Sequence, residues 1–276
     1  MDIHFIIITV ATEYNDQLKQ FKESCKINNV PYKILGLNTI WKGGDMTNGT
    51  GGGQKVNLLK EELEKWGNKQ LKSTIVLFSD SYDVIVLSSA YEIMEKYIQF
   101  FKNRIVFSTE KCCWPNPSLE KYYPITESNY KYLNSGGFIG NAYEIYNMIK
   151  NIPIKDSDDD QLYYTKIFLF TPFLIQNEWI GQLPLRIFDA KRCNNNSMIL
   201  DYTCEIFQTL NEALDDIIIE KNRIKNIKQD TYPCIIHGNG PKHIKNYLNE
   251  LNNTLFTPFY ISNADPKGSA CVNVIR

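Results

Sequence analysis

Two aspartates three positions apart, Asp80 and Asp83, stand in Phe78-Ser79-Asp80-Ser81-Tyr82-Asp83, directly after an apolar run. Paired carboxylates of this kind suit a hard cation such as Mn2+ or Mg2+, which takes oxygen ligands and keeps open positions for substrate phosphates. A solvated surface turn uses the same two residues, so the pattern alone leaves both readings open. His237, one of three histidines, follows a second apolar run in His237-Gly238-Asn239-Gly240-Pro241. Glycines there let backbone approach a ligand closely, and the imidazole can complete a metal shell or merely close a turn. Taken together with the aspartates, the ligand reading is the stronger one.

Three further segments carry chemistry-bearing residues. Gly51-Gly52-Gly53-Gln54-Lys55 lacks the full G-x-x-x-x-G-K-[ST] spacing, because Val56 follows the lysine, so a P-loop NTPase is excluded. Glycine amides at a helix start plus one lysine can still meet a phosphate, and a flexible surface loop has the same composition. The acidic run Asp156-Ser157-Asp158-Asp159-Asp160-Gln161 reads by default as a solvated face. Carboxylates are nonetheless what an acceptor hydroxyl or an oxocarbenium-like centre requires nearby. Trp114, in Cys112-Cys113-Trp114-Pro115, is either a platform for a sugar ring or a core residue.

The elements that must position these residues are legible from periodicity. Phe5–Val10 is a continuous apolar run without alternation, the signature of a central strand buried on both faces, so a parallel or mixed sheet covered by helices follows. A helix is expected over Asn15–Cys25, a strand over Tyr32–Leu37, and a glycine-rich stretch up to Gly53. From Gln54, Val56, Leu59, Leu63 and Trp66 recur at helical spacing. Thr74–Phe78 is a further buried strand, and the aspartate pair lies just past its carboxyl end, where α/β sheets place ligands. A helix near Ala90–Phe101, a strand Arg104–Ser108, a helix Ala142–Lys150 and a late strand Tyr232–Ile236 continue the alternation. Periodicity weakens after Asn253, so one α/β domain over residues 1–253 and a loosely held or packed tail over 254–276 are expected.

Composition narrows the partners. Lys+Arg number 30 against Asp+Glu 31, a net charge of -1 that offers no field for a nucleic acid. The start lacks a basic signal-peptide region and the apolar run after it is too short to span a bilayer, so a soluble, cytoplasmic protein without a membrane span is expected. Seven cysteines, an odd number without a C-x-x-C pair, read as free thiols.

In order along the chain, Ile8–Thr12, Leu35–Leu37 with Trp41–Asp45, Gly51–Val56, Asp80–Ile85, Cys113–Pro115, Tyr132–Gly140, Asp158–Thr165, Ile206–Asn211 and His237–Pro241 resemble the glycosyltransferase domain of the procollagen-lysine hydroxylase family. The resemblance implies a GT-A fold, an α/β Rossmann-like mixed sheet flanked by helices. It also implies a retaining, Mn2+-dependent UDP-sugar transferase that passes glucose to galactosyl-hydroxylysine of collagen-like chains, with galactosyl transfer to hydroxylysine as a lesser activity. Carried over by position, Asp80, Asp83 and His237 are metal ligands. Thr9, Thr12 and Tyr82 lie near the uridine, with Tyr82 as the stacking ring, and Lys55, Gly238 and Gly240 face the diphosphate. Lys242 joins them, although relatives place their lysine one residue later. Trp114, Asn134, Asp159, Asp160 and Asn239 line the sugar and acceptor side. The family's iron-dependent hydroxylase requires two histidines and a carboxylate, and His4, His237 and His243 offer no H-x-D pair, so transfer without hydroxylation is expected. A homo-oligomer is compatible with all of this. The rival readings are a non-catalytic nucleotide-sugar or glycan-binding module and a metal phosphohydrolase that cleaves nucleotide sugars.

Overall fold

The computed structural model describes residues 3–45, 50–176 and 198–256. Its centre is the first apolar run, β1 (His4–Val10), which pairs in parallel with β2 (Tyr32–Leu35) on one side and β3 (Thr74–Ser79) on the other. Beyond β3 the sheet continues through β6 (Tyr132–Asn141), antiparallel to β3, then β5 (Ile105–Glu110), antiparallel to β6, and β7 (Met198–Leu200), parallel to β5. The resulting order is β2-β1-β3-β6-β5-β7.

Both faces are covered, which is why the strands read as unbroken apolar runs. Ile8, Phe78 and Phe138 pack with α2 (Gly53–Glu64), α5 (Ala142–Ile149) and α6 (Asp160–Gln176) through Leu59, Leu63, Ile145, Ile149 and Tyr164. Their neighbours Ile7, Leu77 and Ile139 point the other way, onto α1 (Asp16–Ile27) and α4 (Ala90–Phe101) through Leu18, Phe21, Ile93 and Tyr97. The helices start where the sequence supplies caps: the Asn15 side chain accepts from Leu18 N and that of Ser89 from Glu92 N. A short α3 (Asn68–Ser73) leads into β3.

From β1 the chain steps to β2 on one side and later to β3 on the other. The carboxyl ends of β1 and β3 therefore form a topological switch point, the place where open α/β sheets bind ligands. The expected GT-A arrangement of a Rossmann-like mixed sheet flanked by helices holds. A second sheet, β4 (Val84–Val86), β11 (Ile235–His237) and β8 (Phe207–Thr209), stands beside this point. Its antiparallel β4–β11 register sets His237 opposite Val84, next to Asp83. A hairpin of β9 (Ile217–Glu220) and β10 (Arg223–Asn226) and the final helix α7 (Lys242–Phe256) complete the described chain.

Two expectations change. The strand expected over Tyr32–Leu37 stops at Leu35, because Gly36 takes a left-handed conformation at φ +76°. The boundary placed at 253 falls inside α7, which continues to Phe256, with Leu251 buried and Leu255 and Phe256 packed on the same cluster; the remaining residues of that tail lie outside the described ones. The segment 134–140 is part of the ten-residue strand β6, with Gly136 and Gly137 lying where His237 and Phe207 of the second sheet press against it.

Phe138 holds the centre of the sheet, stacked on Phe107 at 4.7 Å and on Phe78 at 5.0 Å and fully buried. Phe138→Ala is expected to cost about 3–5 kcal/mol through lost burial and the cavity left behind. A urea titration of wild type and variant measures this as a shift in midpoint.

Candidate functional site

Asp80 and Asp83 leave the end of β3 in a turn fixed at both sides. Ser81 Oγ donates to Val10 O (2.9 Å) and Asp80 N donates to Gly136 O (2.9 Å). His237 reaches the same point from β11, and one ligand atom from each of Asp80, Asp83 and His237 lies within 4.8 Å of the others. Its Nε2 is 3.4 Å from Asp83 Oδ1 and 3.8 Å from Asp80 Oδ2. Its Nδ1 meets the side-chain carbonyl of Asn134 at 3.1 Å, an acceptor only, so Nδ1 carries the proton and Nε2 faces the carboxylates. A Cβ at position 136 would lie 2.1 Å from His237 Cε1, so only glycine allows this approach.

Burial lowers the proton affinity of His237, but the charges of Asp83 and Asp80 outweigh it and the imidazole titrates above its ordinary value. Burial conversely raises Asp83, and the opposing charges of His237, Lys245 and Lys55 bring it below its ordinary value. Two carboxylates and an imidazole are a donor set suited to a divalent cation, which takes the place of the proton these carboxylates draw to the ring.

Lys55 adds a fixed positive charge. Its Nζ lies 2.8 Å from Asp80 Oδ1 and 2.8 Å from Asp160 Oδ2. Burial would lower its proton affinity; Asp160 and Asp80 more than compensate and raise it well above its ordinary value. The glycine loop before it is strapped to the acidic run, not free: Gly53 N donates to Asp158 O, Gln54 N to Asp156 O, and Asp160 N to Gly51 O. Gly52, at φ +103°, is the turn that permits this, since a Cβ there would meet Asp160 Oδ1 at 2.7 Å. The acidic run is consequently not solvated throughout: Ser157 and Asp158 are exposed, whereas its end turns inward. Asp160 is buried, its carboxyl raised by burial while Lys55 opposes, and Asp159 caps α6 by accepting from Leu162 N at 2.6 Å.

The residues expected near the uridine gather at the end of β1. Tyr82 Oη accepts from Thr12 N (3.1 Å) and Glu13 N (2.9 Å), which clamps its ring to that loop. Thr9 is wholly buried and its Oγ1 has no hydrogen-bond partner among the described residues. Gly238 N donates to Asp83 O at 2.7 Å, and Gly240 turns at φ +107° beside Asn211. Lys242 is exposed at the first turn of α7; within that helix the charge that acts on Asp83 comes from Lys245, one turn later.

On the other side of His237 a buried carboxylate that the motif reading passed over, Glu110, sits in a ring of neutral amides. Oε1 accepts from Asn134 (3.2 Å) and Gln161 (2.6 Å), and Oε2 accepts from Asn239 (2.9 Å). Burial pushes its pKa up to about 7 against those three hydrogen bonds. Gln161 also donates to Trp114 O at 3.1 Å, and the Trp114 side chain is 53% exposed, which rules out the core reading of that residue. Asn134 and Asn239 therefore hold His237, Glu110 and the 210–211 backbone in place. Glu110 was findable by the rule that found Asp80, since it ends a buried strand; Gln161 and Lys245 carry no comparable signal.

A switch point carrying an Asp-Asp-His trio, a buried lysine and a row of carboxylates and amides is the apparatus of a glycosyltransferase, and sequence comparison agrees. The family model described as the PLOD GT domain matches residues 2–177 and 185–264, and the chain belongs to that family. It is 37% identical over 258 residues to human "Multifunctional procollagen lysine hydroxylase and glycosyltransferase LH3", covering 92% of this chain and 32% of the relative. It is 35% identical over 270 residues to mouse "Procollagen-lysine,2-oxoglutarate 5-dioxygenase 2", covering 96% and 33%. The nematode Caenorhabditis elegans has a relative 36% identical over 256 residues. The chain thus spans about a third of the length of these curated relatives. Among solved structures it is similar to the galactosyltransferase LgtC, with TM-score 0.44 and 12% identity over 91% of this chain and 96% of that one. The family match carries the assignment. No helix among the described residues is long and apolar enough to cross a membrane, and the cytoplasmic location expected above finds no support in these relatives.

Glu110 has a folded pKa raised from 4.5 to about 7, so its contribution to stability is fully present below pH 4.5 and is lost as pH rises through about 7. Glu110→Gln removes that loss. The stability of wild type relative to E110Q is expected to fall by up to roughly 3 kcal/mol between these limits, read from denaturation midpoints at a series of pH values. Parallel pH profiles for the two proteins would refute the assignment.

Proposed function

We propose that this chain is a metal-dependent UDP-sugar transferase, most closely a retaining enzyme that moves glucose from UDP-glucose to galactosyl-hydroxylysine of collagen-like chains. One observation carries it: Asp80, Asp83 and His237 converge within 4.8 Å at the switch point of the sheet. The procollagen substrate in the names of the relatives, and the glycosyltransferase in the names of two of them, support the acceptor class.

Asp80, Asp83 and His237 would hold Mn2+ or Mg2+, which supplies Lewis-acid charge for a departing diphosphate. Tyr82, clamped by the 12–13 amides, offers a fixed ring for the base. The amides of Gly52 and Gly53 are already bonded within the protein, so the phosphate contact from this helix start falls to Lys55 rather than to those two N–H groups. Glu110, ionised above about pH 7, can accept a proton from an acceptor hydroxyl or oppose positive charge developing at the anomeric carbon. Asp160 is paired with Lys55, Asp159 caps α6, Asp156 accepts from Asn57 and Asp158 from Lys155 N, so all four carboxylates of the acidic run already have partners. This favours attack on the face of the leaving phosphate over a covalent intermediate on that run.

A donor screen with Mn2+, reading UDP release with and without galactosyl-hydroxylysine, tests the reading. UDP-glucose with strict acceptor dependence is the expected outcome; preference for UDP-galactose would move the activity to the earlier sugar. Release indifferent to acceptor would indicate a phosphohydrolase, and no release a binding module. Asp83→Ala removes a direct ligand, and its Mn2+-dependent turnover is expected to fall by at least roughly 100-fold. Normal turnover in that variant would refute the metal assignment.

A further inference from the structure

Asp80 has two claims on it. It is one of three candidate ligands for a divalent cation, and it is bonded to the ammonium of Lys55, whose side chain is only 6% exposed. Two cations sharing one carboxylate in a poorly hydrated corner repel each other strongly. Lys55 cannot retreat, because the loop on its amino-terminal side is bonded at Gly52, Gly53 and Gln54 to the chain at Gly43, Asp158 and Asp156, and Asp160 grips its ammonium. The count of charge points the same way. Asp80, Asp83 and Asp160 against Lys55 leave two uncompensated negative charges when His237 is neutral, enough for one divalent cation that still feels the lysine. An anion reaching both cations at once relieves the conflict, and a diphosphate has that charge and span.

We propose that Lys55 is a tethered counter-cation: it weakens divalent-metal binding by the protein alone and, by turning to a diphosphate, makes metal and nucleotide bind together. This rests on the metal reading above and adds the coupling between the two ligands. By linkage, the factor by which UDP tightens the metal equals the factor by which the metal tightens UDP. A device of this kind admits the metal mainly with its donor.

The test is Mn2+ binding to the full chain, followed by the electron paramagnetic resonance signal of free Mn2+, with and without UDP. Wild type is expected to bind Mn2+ weakly alone and more tightly with UDP. Lys55→Met and Lys55→Gln remove the charge, the second keeping a hydrogen-bonding group between the two carboxylates should the first fail to fold. Either variant is expected to bind Mn2+ alone about tenfold tighter or more, with the enhancement by UDP reduced. Lys55→Arg keeps the charge and is expected to stay near wild type. Uncharged variants that bind Mn2+ alone no tighter than wild type, or that keep the full enhancement by UDP, would overturn the coupling. Wild type that binds no Mn2+ even with UDP would overturn the metal centre itself, a distinguishable failure.

Discussion

Crowding of carboxylates at the carboxyl edge of the sheet is the constraint to which the rest of the structure answers. Asp80, Asp83, Asp160 and Glu110 all come to the region around His237, and an uncompensated carboxylate in a poorly hydrated setting is costly. The protein compensates them in two ways. Asp80, Asp83 and Asp160 receive positive charge from Lys55 and the imidazole, whereas Glu110 is hydrogen-bonded to neutral amides and feels the imidazole only at a distance. Neighbouring carboxylates in such different surroundings separate in proton affinity: Asp83 is held down and Glu110 is pushed up to about 7. That separation is how one pocket keeps its Asp80–Asp83 corner ionised while a second acid titrates near neutrality.

The backbone is bent to serve this arrangement. Asp83 and His237 are remote in sequence and meet because β4 and β11 pair antiparallel with Val84 opposite His237. The imidazole can press against β6 only over the bare backbone of Gly136, and the α2 helix can begin against the acidic run only through the left-handed turn at Gly52. Glycines that look like loop formers in a one-dimensional reading are here points of closest approach between structural layers.

Much of the fold was legible because it rests on local signals. Unbroken apolar runs fixed β1 and β3, helical spacing fixed α2, and polar residues past a buried strand marked Asp80 and Asp83. What was illegible depends on partners distant in the chain. Asp160 looks like one of several solvated aspartates until Lys55 is placed beside it. Glu110 is marked only by its place at the end of a buried strand, and the amides that hold it come from three separate segments. The family resemblance supplied the uridine-side and sugar-side roles, which no spacing in the sequence defines.

The two sides of the pocket also differ in what they leave adjustable. Around Glu110 the amide of Gln161 uses its donors on Glu110 and Trp114 O and its acceptor on Asn134 and Ser135 N, so geometry is saturated while the charge of Glu110 varies with pH. At the metal corner the reverse holds. Lys55 keeps its charge across the accessible range, held by two carboxylates, and what can change is which anion it faces. A transfer reaction needs both properties in one site: a rigid frame in which a single proton can move, and a charged corner whose partners exchange when a diphosphate arrives and departs. The division falls along β6, with Asn134 joining Glu110 to His237 across it.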